Sequence, residues 1–191
     1  MKKIVLASAS PGRKELLEKI GLGFVAEPSD YVEELRQNVN PHELAKAVSR
    51  GKALAVAKKH KNAIIIAADT FIVCRGEIMG KPRTEAEAKE MLQAISGGSH
   101  SVITGFTILD TDEDRILSQT VETIVHVKQL SSAEIDNYVR SQEPIDKAGA
   151  YEIQGLGSVI VEKIEGDYFN VVGLPLSSLA ESLKEFGIHI L

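Results

Sequence analysis

Tryptophan is absent from this chain, cysteine occurs once, and no apolar run is longer than residues 63–68. Each scarcity closes off a class of protein. The lone Cys74 excludes an intrachain disulfide and fits a reducing compartment, and its apolar surroundings predict a buried structural thiol. A membrane-spanning helix needs roughly 18 or more consecutive apolar residues; nothing here approaches that, so no membrane partner is expected. Lys2 and Lys3 precede only a few apolar residues before Ser8, too few for a secretory leader, and a cytoplasmic location is expected. The histidines (His42, His60, His100, His126, His189) are scattered without His-Glu-x-x-His or similar spacing, which argues against zinc. No serine stands in a Gly-x-Ser-x-Gly elbow, which argues against an α/β-hydrolase. Positive charge is short as well: 22 Lys and Arg face 27 Asp and Glu, a net charge of −5. A general nucleic-acid binder is usually basic, so no nucleic-acid polymer is expected and phosphate chemistry must use a local basic pocket.

What is present is ordinary for a globular protein: 191 residues, 43% hydrophobic and 26% charged, read as one domain over residues 1–191, in two small lobes with no separable linker. The chain is organised around residues 6–13, LASASPGR. A short apolar strand opens there through Ser8 and Ser10, with Pro11 and Gly12 leading into a helix over residues 11–20. The first N–H groups of a helix lack intrahelical partners and its dipole favours negative charge, so such a turn can hold an anion. Ser8 and Ser10 add hydroxyl donors, and Arg13 a guanidinium fork suited to phosphate; the plainer reading is a serine-capped βα turn.

A brief strand over 23–26 and a polar loop with Glu33 and Glu34 follow. Asn40-Pro41 starts a second helix with an apolar stripe of Leu44, Val48, Ala55 and Val56. Lys52 falls on that stripe, so it either snorkels out of the core or meets an anion. Residues 63–68, AIIIAA, predict a strand covered on both faces, as inside a mixed or parallel α/β sheet. It ends in Asp69-Thr70, where ligands of open α/β sheets sit. A hairpin across Arg75-Gly76-Glu77 delivers Gly80-Lys81-Pro82, which is not a Walker A loop. Thr84/Glu87 and Ser131/Glu134 predict capping boxes for two further helices, and two long strands over 101–109 and 116–127 are joined by a solvated acidic loop at 110–114. Residues 146–155 are glycine-rich and irregular. A strand over 159–164 leads to a turn at 165–168, and Gly173-Leu174-Pro175 opens a last helix with Leu176, Leu179, Leu183 and Phe186.

Two sets of side chains remain. Ser8, Ser10, Arg13, Lys52 and Lys81 are cationic or hydroxylic, and Glu34 and Asp69 are acidic. Cations neutralise phosphate charge while a carboxylate holds a metal or takes a proton from water, so the pairing points to phosphate-ester or phosphoanhydride chemistry.

LASxSPxR, Glu33-Glu34, Lys52 in an Ala-rich helix, Ala68-Asp69-Thr70, Gly80-Lys81-Pro82, residues 146–151 (DKAGAY) with Gln154-Gly155, and Gly173-Leu174-Pro175 occur in this order. Together they resemble the Maf family, the septum-formation-inhibitor-like nucleoside triphosphate pyrophosphatases, across essentially the whole chain. The resemblance implies an elongated α/β protein, its central mixed β-sheet flanked by helices, with a cleft between two lobes. It implies hydrolysis of a nucleoside triphosphate to the monophosphate and pyrophosphate with a divalent cation, Mg²⁺ or Mn²⁺. Asp69 would be the proton acceptor; Ser8, Arg13, Lys52 and Lys81 would bind phosphates; Glu34 and Asp69 would hold the metal. A homodimer is compatible with the resemblance. Thr70 and Gln154 resemble the branch acting on dTTP and UTP rather than 7-methyl-GTP, and an amide offers both a donor and an acceptor to a pyrimidine edge. Gly12 stands where the family usually has arginine, at a position bearing on specificity. The competing expectations are a non-catalytic regulator of septum formation that binds nucleotide or protein, and a purine-directed (inosine-triphosphate-type or 7-methyl-GTP) pyrophosphatase.

Overall fold

The computed structural model describes residues 2–32, 40–113 and 115–191, and its sheet grows from one strand. Isoleucines at 64, 65 and 66 favour extended backbone, and β3 (Ala63–Cys74) takes up twelve residues without a break. The sequence predicted a strand ending before Asp69 and a separate hairpin arm. Instead the strand runs on through Asp69 and Thr70, because Asp69 pairs with a lysine rather than forming a turn. β1 (Lys3–Leu6) lies parallel to β3 with Leu6 opposite Ile66, and β2 (Val25–Ala26) lies parallel to β1. The end of β3 returns through Arg75-Gly76 into antiparallel β4 (Glu77–Met79). Both turn residues have positive φ, 52° and 84°, as a two-residue type I′ hairpin requires. With β5 (Ser99–Asp110), β6 (Ile116–Val127) and β7 (Val161–Glu165) the strand order is β2-β1-β3-β5-β6-β7, and β4 pairs with β3. β6 and β7 are antiparallel, so the sheet is mixed, in agreement with the expected α/β class. No helix among the described residues is long and apolar enough to cross a membrane.

The chain forms two units. The first comprises Met1–Asp69, Thr104–Val121 and Gly173–Leu191; the second comprises Thr70–Ile103 and Glu122–Val172. In the first unit, α1 (Pro11–Lys19) has proline in its first turn and Ser10 as N-cap, whose hydroxyl accepts from the Arg13 N–H. α2 (Pro41–Ala57) begins in the same way from Asn40. The buried face of α2 differs from the predicted stripe: Ala45, Ser49 and Ala53 join Leu44, Val48 and Val56, while Ala55 is only half-buried. Ala53 and Val56 pack with Val5, Ala7, Ile65, Ala67 and Leu109. These small residues bring the helix close to the sheet, and Gly105 of β5 brings it closer still, since a Cβ there would overlap the backbone carbonyl of Ala45. The Ser49 hydroxyl donates to the Lys46 carbonyl (3.0 Å), so the Thr107 hydroxyl, 2.8 Å away, donates to Ser49 and Ser118 in turn to Thr107. α6 (Leu176–Lys184) buries Leu176, Leu179 and Leu183 as expected. Asp110 departs from expectation. It is 4% exposed rather than solvated, and the Lys2 ammonium donates to its carboxylate at 2.6 and 2.8 Å.

The second unit packs α3 (Glu85–Ile95) and α4 (Ser132–Arg140) over a core that includes Leu92, Ile95, Val102, Val125, Val127, Ile135, Val139 and Tyr151. Burying each aliphatic side chain of this kind stabilises the fold by about 1.5–3 kcal/mol. The Ser131/Glu134 box closes reciprocally. At α3 the box is half made: Thr84 accepts from the Glu87 N–H, but the Glu87 carboxylate accepts from the Arg83 N–H instead. The predicted turn at 165–168 bends at Gly166 and leads into a short helix that the sequence did not predict, α5 (Tyr168–Val172), held by the Asn170 amide, which donates to the Val102 carbonyl and Thr123 hydroxyl at 3.0 Å each.

His100 is buried beside Tyr151, with Nε2 2.9 Å from the hydroxyl. Burial, helped by the charge of His126, lowers its pKa from 6.5 to about 4. A depressed pKa contributes stability that is fully present above pH 6.5 and is lost as pH falls toward 4. The loss at full protonation is on the order of 3 kcal/mol. The urea midpoint should therefore fall between pH 6.5 and 4, and His100→Phe should flatten that slope; equal slopes would place the acid sensitivity elsewhere.

Candidate active site

The first unit assembles most of the phosphate-directed side chains. Past Leu6 the chain leaves β1, and the Ala7 N–H still donates to the Ile66 carbonyl at 2.8 Å. Ser8 and Asp69 thus follow the last paired positions of neighbouring strands by two and three residues. The buried Ser8 hydroxyl accepts from the Ser10 N–H (3.2 Å) and from Arg13 Nη1 (3.4 Å). Arg13 Nε donates to the Gly173 carbonyl at 2.8 Å. Residues 160 apart in sequence therefore fix one guanidinium, which limits the rotamer entropy lost when it grips an anion. Gly12, the second residue of α1, is half-buried beside it.

The second feature is the pairing of Lys52 and Asp69. Lys52 Nζ donates to Asp69 Oδ1 at 2.5 Å, with side-chain exposures of 16% and 11%. The lysine on the apolar stripe does not snorkel into bulk water; it meets an anion. α2 places it: Ala45, Ser49 and Ala53 bury one face, and Lys52 stands beside that face three residues beyond Ser49. In so dry a setting the attraction is strong, and removing either partner leaves a poorly solvated group. The carboxylate also has the lone pairs to accept a proton or bind a cation.

Thr70, Lys81 and Gln154 belong to the second unit. Thr70 follows Asp69 directly and is half-buried. Lys81 is exposed, and the backbone on both sides of it is fastened: the Gly149 N–H donates to the Gly80 carbonyl (3.1 Å) and the Asp146 N–H to the Pro82 carbonyl (3.3 Å). Gln154 is exposed within the irregular stretch. Glu33 and Glu34 lie outside the described residues.

Mg²⁺ and Mn²⁺ take oxygen ligands, and Mg²⁺ is commonly held by one or two carboxylates together with substrate phosphates. Among the described residues no three His, Cys, Asp or Glu side chains cluster as a cage. The donor set fits a cation held by Asp69 and phosphate oxygens. The sequence did not single out the Gly173 carbonyl, the Ser49–Thr107–Ser118 hydroxyl chain or Gly105. Three hydroxyl residues facing an apolar helix were the available signal for the chain.

The model of a family described as Maf-like protein matches residues 3–186. A protein of Methanococcoides burtonii named dTTP/UTP pyrophosphatase is 54% identical over 191 residues, covering 100% of this chain and 98% of the relative. A Bacillus cereus protein of the same name is 45% identical over 190 residues, covering 100% and 93%. Among solved structures, a HAM1 protein from Coxiella burnetii matches with a TM-score of 0.52 at 17% identity, over 97% of this chain and 100% of that one. That likeness is one of fold.

Proposed function

We propose, from the premise that this chain belongs to the Maf-like protein family, that it is a nucleoside triphosphate pyrophosphatase acting on dTTP and UTP. The observation that carries the mechanism is the Lys52–Asp69 pair, a carboxylate beside a lysine at the end of the buried stretch of β3. Asp69 takes a proton from water, whose oxygen attacks the α-phosphorus. The bond from that phosphorus to the α–β bridging oxygen breaks, and pyrophosphate leaves. Lys52, Arg13 and Ser8 neutralise and orient the phosphates; in the second unit Lys81 is assigned to the phosphates, and Thr70 and Gln154 to the base. Asp69, with Glu34, would hold Mg²⁺ or Mn²⁺, which supplies charge neutralisation on the phosphate oxygens.

Pyrophosphate release from dTTP, UTP, CTP, GTP, ITP and 7-methyl-GTP, with Mg²⁺ and with Mn²⁺, tests the reading. The expected result is a kcat/KM at least about 10-fold higher for dTTP and UTP, since a site built to pair polar base edges rejects mismatched ones strongly. A preference for ITP or 7-methyl-GTP would transfer the chain to a purine substrate, and no release from any nucleotide would leave a binding protein.

A further inference from the structure

We infer that Glu143 is the positioning residue for the turn that bears Gln154, and that through this turn it sets nucleobase discrimination. The inference rests on the proposed role of Gln154 in base selection.

Residues 151–157 form neither helix nor strand over most of their length, so their backbone donors need other acceptors. The Gly155 N–H donates to the Glu152 carbonyl at 3.2 Å, which makes Ile153 and Gln154 the two central residues of a tight turn. Ile153 is buried and Gln154 is exposed at the tip. Beyond the tip, Glu143 Oε2 accepts from the Leu156 N–H (2.8 Å) and Oε1 from the Gly157 N–H (2.9 Å). The Tyr138 hydroxyl donates to Glu143 Oε1 at 2.7 Å and accepts from the Glu152 N–H at 3.1 Å, before the tip. One carboxylate and one phenol therefore hold both ends of the turn.

The surrounding residues are shaped for this contact. A Cβ at position 155 would overlap the Glu143 carboxylate, and one at 157 would lie 2.5 Å from the Glu152 carbonyl oxygen and 2.6 Å from the Tyr138 hydroxyl. Glycine at 155 leaves room for the carboxylate, and glycine at 157 leaves room for the Tyr138 hydroxyl and the Glu152 carbonyl. Burial alone would raise the Glu143 pKa, but the Gly157 and Leu156 N–H groups and the Tyr138 hydroxyl outweigh it and hold the carboxyl below its usual range. The carboxylate thus stays ionised at neutral pH, with both oxygens accepting. Thymine and uracil present N3–H and O4, whereas cytosine presents N3 and an amino group, and only a fixed amide can favour one pattern.

The test compares Glu143→Gln, Tyr138→Phe and Gln154→Ala with the unmodified protein, using dTTP and dCTP. Glu143→Gln sets an NH₂ against a backbone N–H, so one end of the turn is released. The expected result is a dTTP/dCTP ratio of kcat/KM lowered about 10-fold, mostly through KM, with kcat for dTTP changed less than about threefold. Tyr138→Phe should shift the ratio in the same direction and stands in if Glu143→Gln does not fold. Adding Gln154→Ala to either variant should lower the ratio no further than Gln154→Ala alone. If Gln154→Ala lowers the ratio while Glu143→Gln and Tyr138→Phe leave it intact, the positioning role is overturned and the reading of Gln154 stands. Equal losses on both nucleotides would also overturn it, as a merely structural effect. An unchanged ratio in Gln154→Ala would remove the reading of Gln154 itself.

Discussion

Asparagine in place of Asp69 is expected to lower kcat for dTTP by about 10²–10⁴-fold, the usual contribution of a general base, with little or no rise in KM. The side chain keeps its size and place in β3, so the ladder between β1 and β3 survives. What is lost is the ability to take a proton; the amide oxygen can still ligate the cation together with Glu34 and the phosphates. Binding is protected by the Lys52–Asp69 pair: the ammonium that donates to Oδ1 at 2.5 Å can turn wholly to a phosphate once the carboxylate charge is gone. The variant also removes one negative charge facing a polyanion. Stability should fall by about 1–3 kcal/mol, the scale of a charged hydrogen bond, because Lys52 at 16% exposure retains some access to water. Single-turnover pyrophosphate release and nucleotide binding, measured together, decide the matter. Turnover within about threefold of the unmodified protein would remove Asp69 from the chemistry, whereas loss of binding along with turnover would make it a structural partner of Lys52.

The parts of the fold legible in the sequence are those governed by local rules. Ser10-Pro11 and Asn40-Pro41 carry their helix starts in two residues each, and Arg75-Gly76 supplies the positive φ angles a tight hairpin needs. Lys52 could be suspected because a charge on an apolar stripe needs an explanation, and the Asp69 carboxylate provides it. The misreadings share a cause. Asp110 looked solvated because its partner, Lys2, is 108 residues away. The helix at Tyr168–Val172 is short, and the Val102 carbonyl and Thr123 hydroxyl that receive the Asn170 amide lie far off in sequence. Arg13 could be singled out by its place after the serine-rich turn, but its anchor on the Gly173 carbonyl could not, since a backbone oxygen leaves no mark in the residue types. Pairings between distant segments are set by the assembled sheet, where no short motif encodes them.

The second large effect follows from one such pairing. Alanine at position 105 should lower Tm by about 2–12 °C and kcat/KM by about 10–100-fold. Its methyl carbon would overlap the carbonyl carbon and oxygen of Ala45 and lie 2.8 Å from the Lys46 nitrogen. These are backbone atoms in a helix, so no side chain can rotate away; α2 itself must move off β5. Overpacking of this kind costs about 1–3 kcal/mol, and in a protein of this size each kcal/mol lowers Tm by about 2–4 °C. Moving α2 stretches the Ser49–Thr107 hydrogen bond and carries Lys52 away from Asp69. A displacement near 1 Å is enough to cost about 10²-fold where groups must be aligned. Gly23→Ala is the control, because its methyl meets nothing within 4 Å and the substitution stiffens the unfolded chain, so Tm should hold or rise slightly. An unchanged Tm in Gly105→Ala would mean that α2 has slack against the sheet. A lowered Tm with full kcat/KM would mean that Lys52 reaches its place without the close contact at Gly105, and the alignment of the pair would then belong to the lysine's own flexible stem.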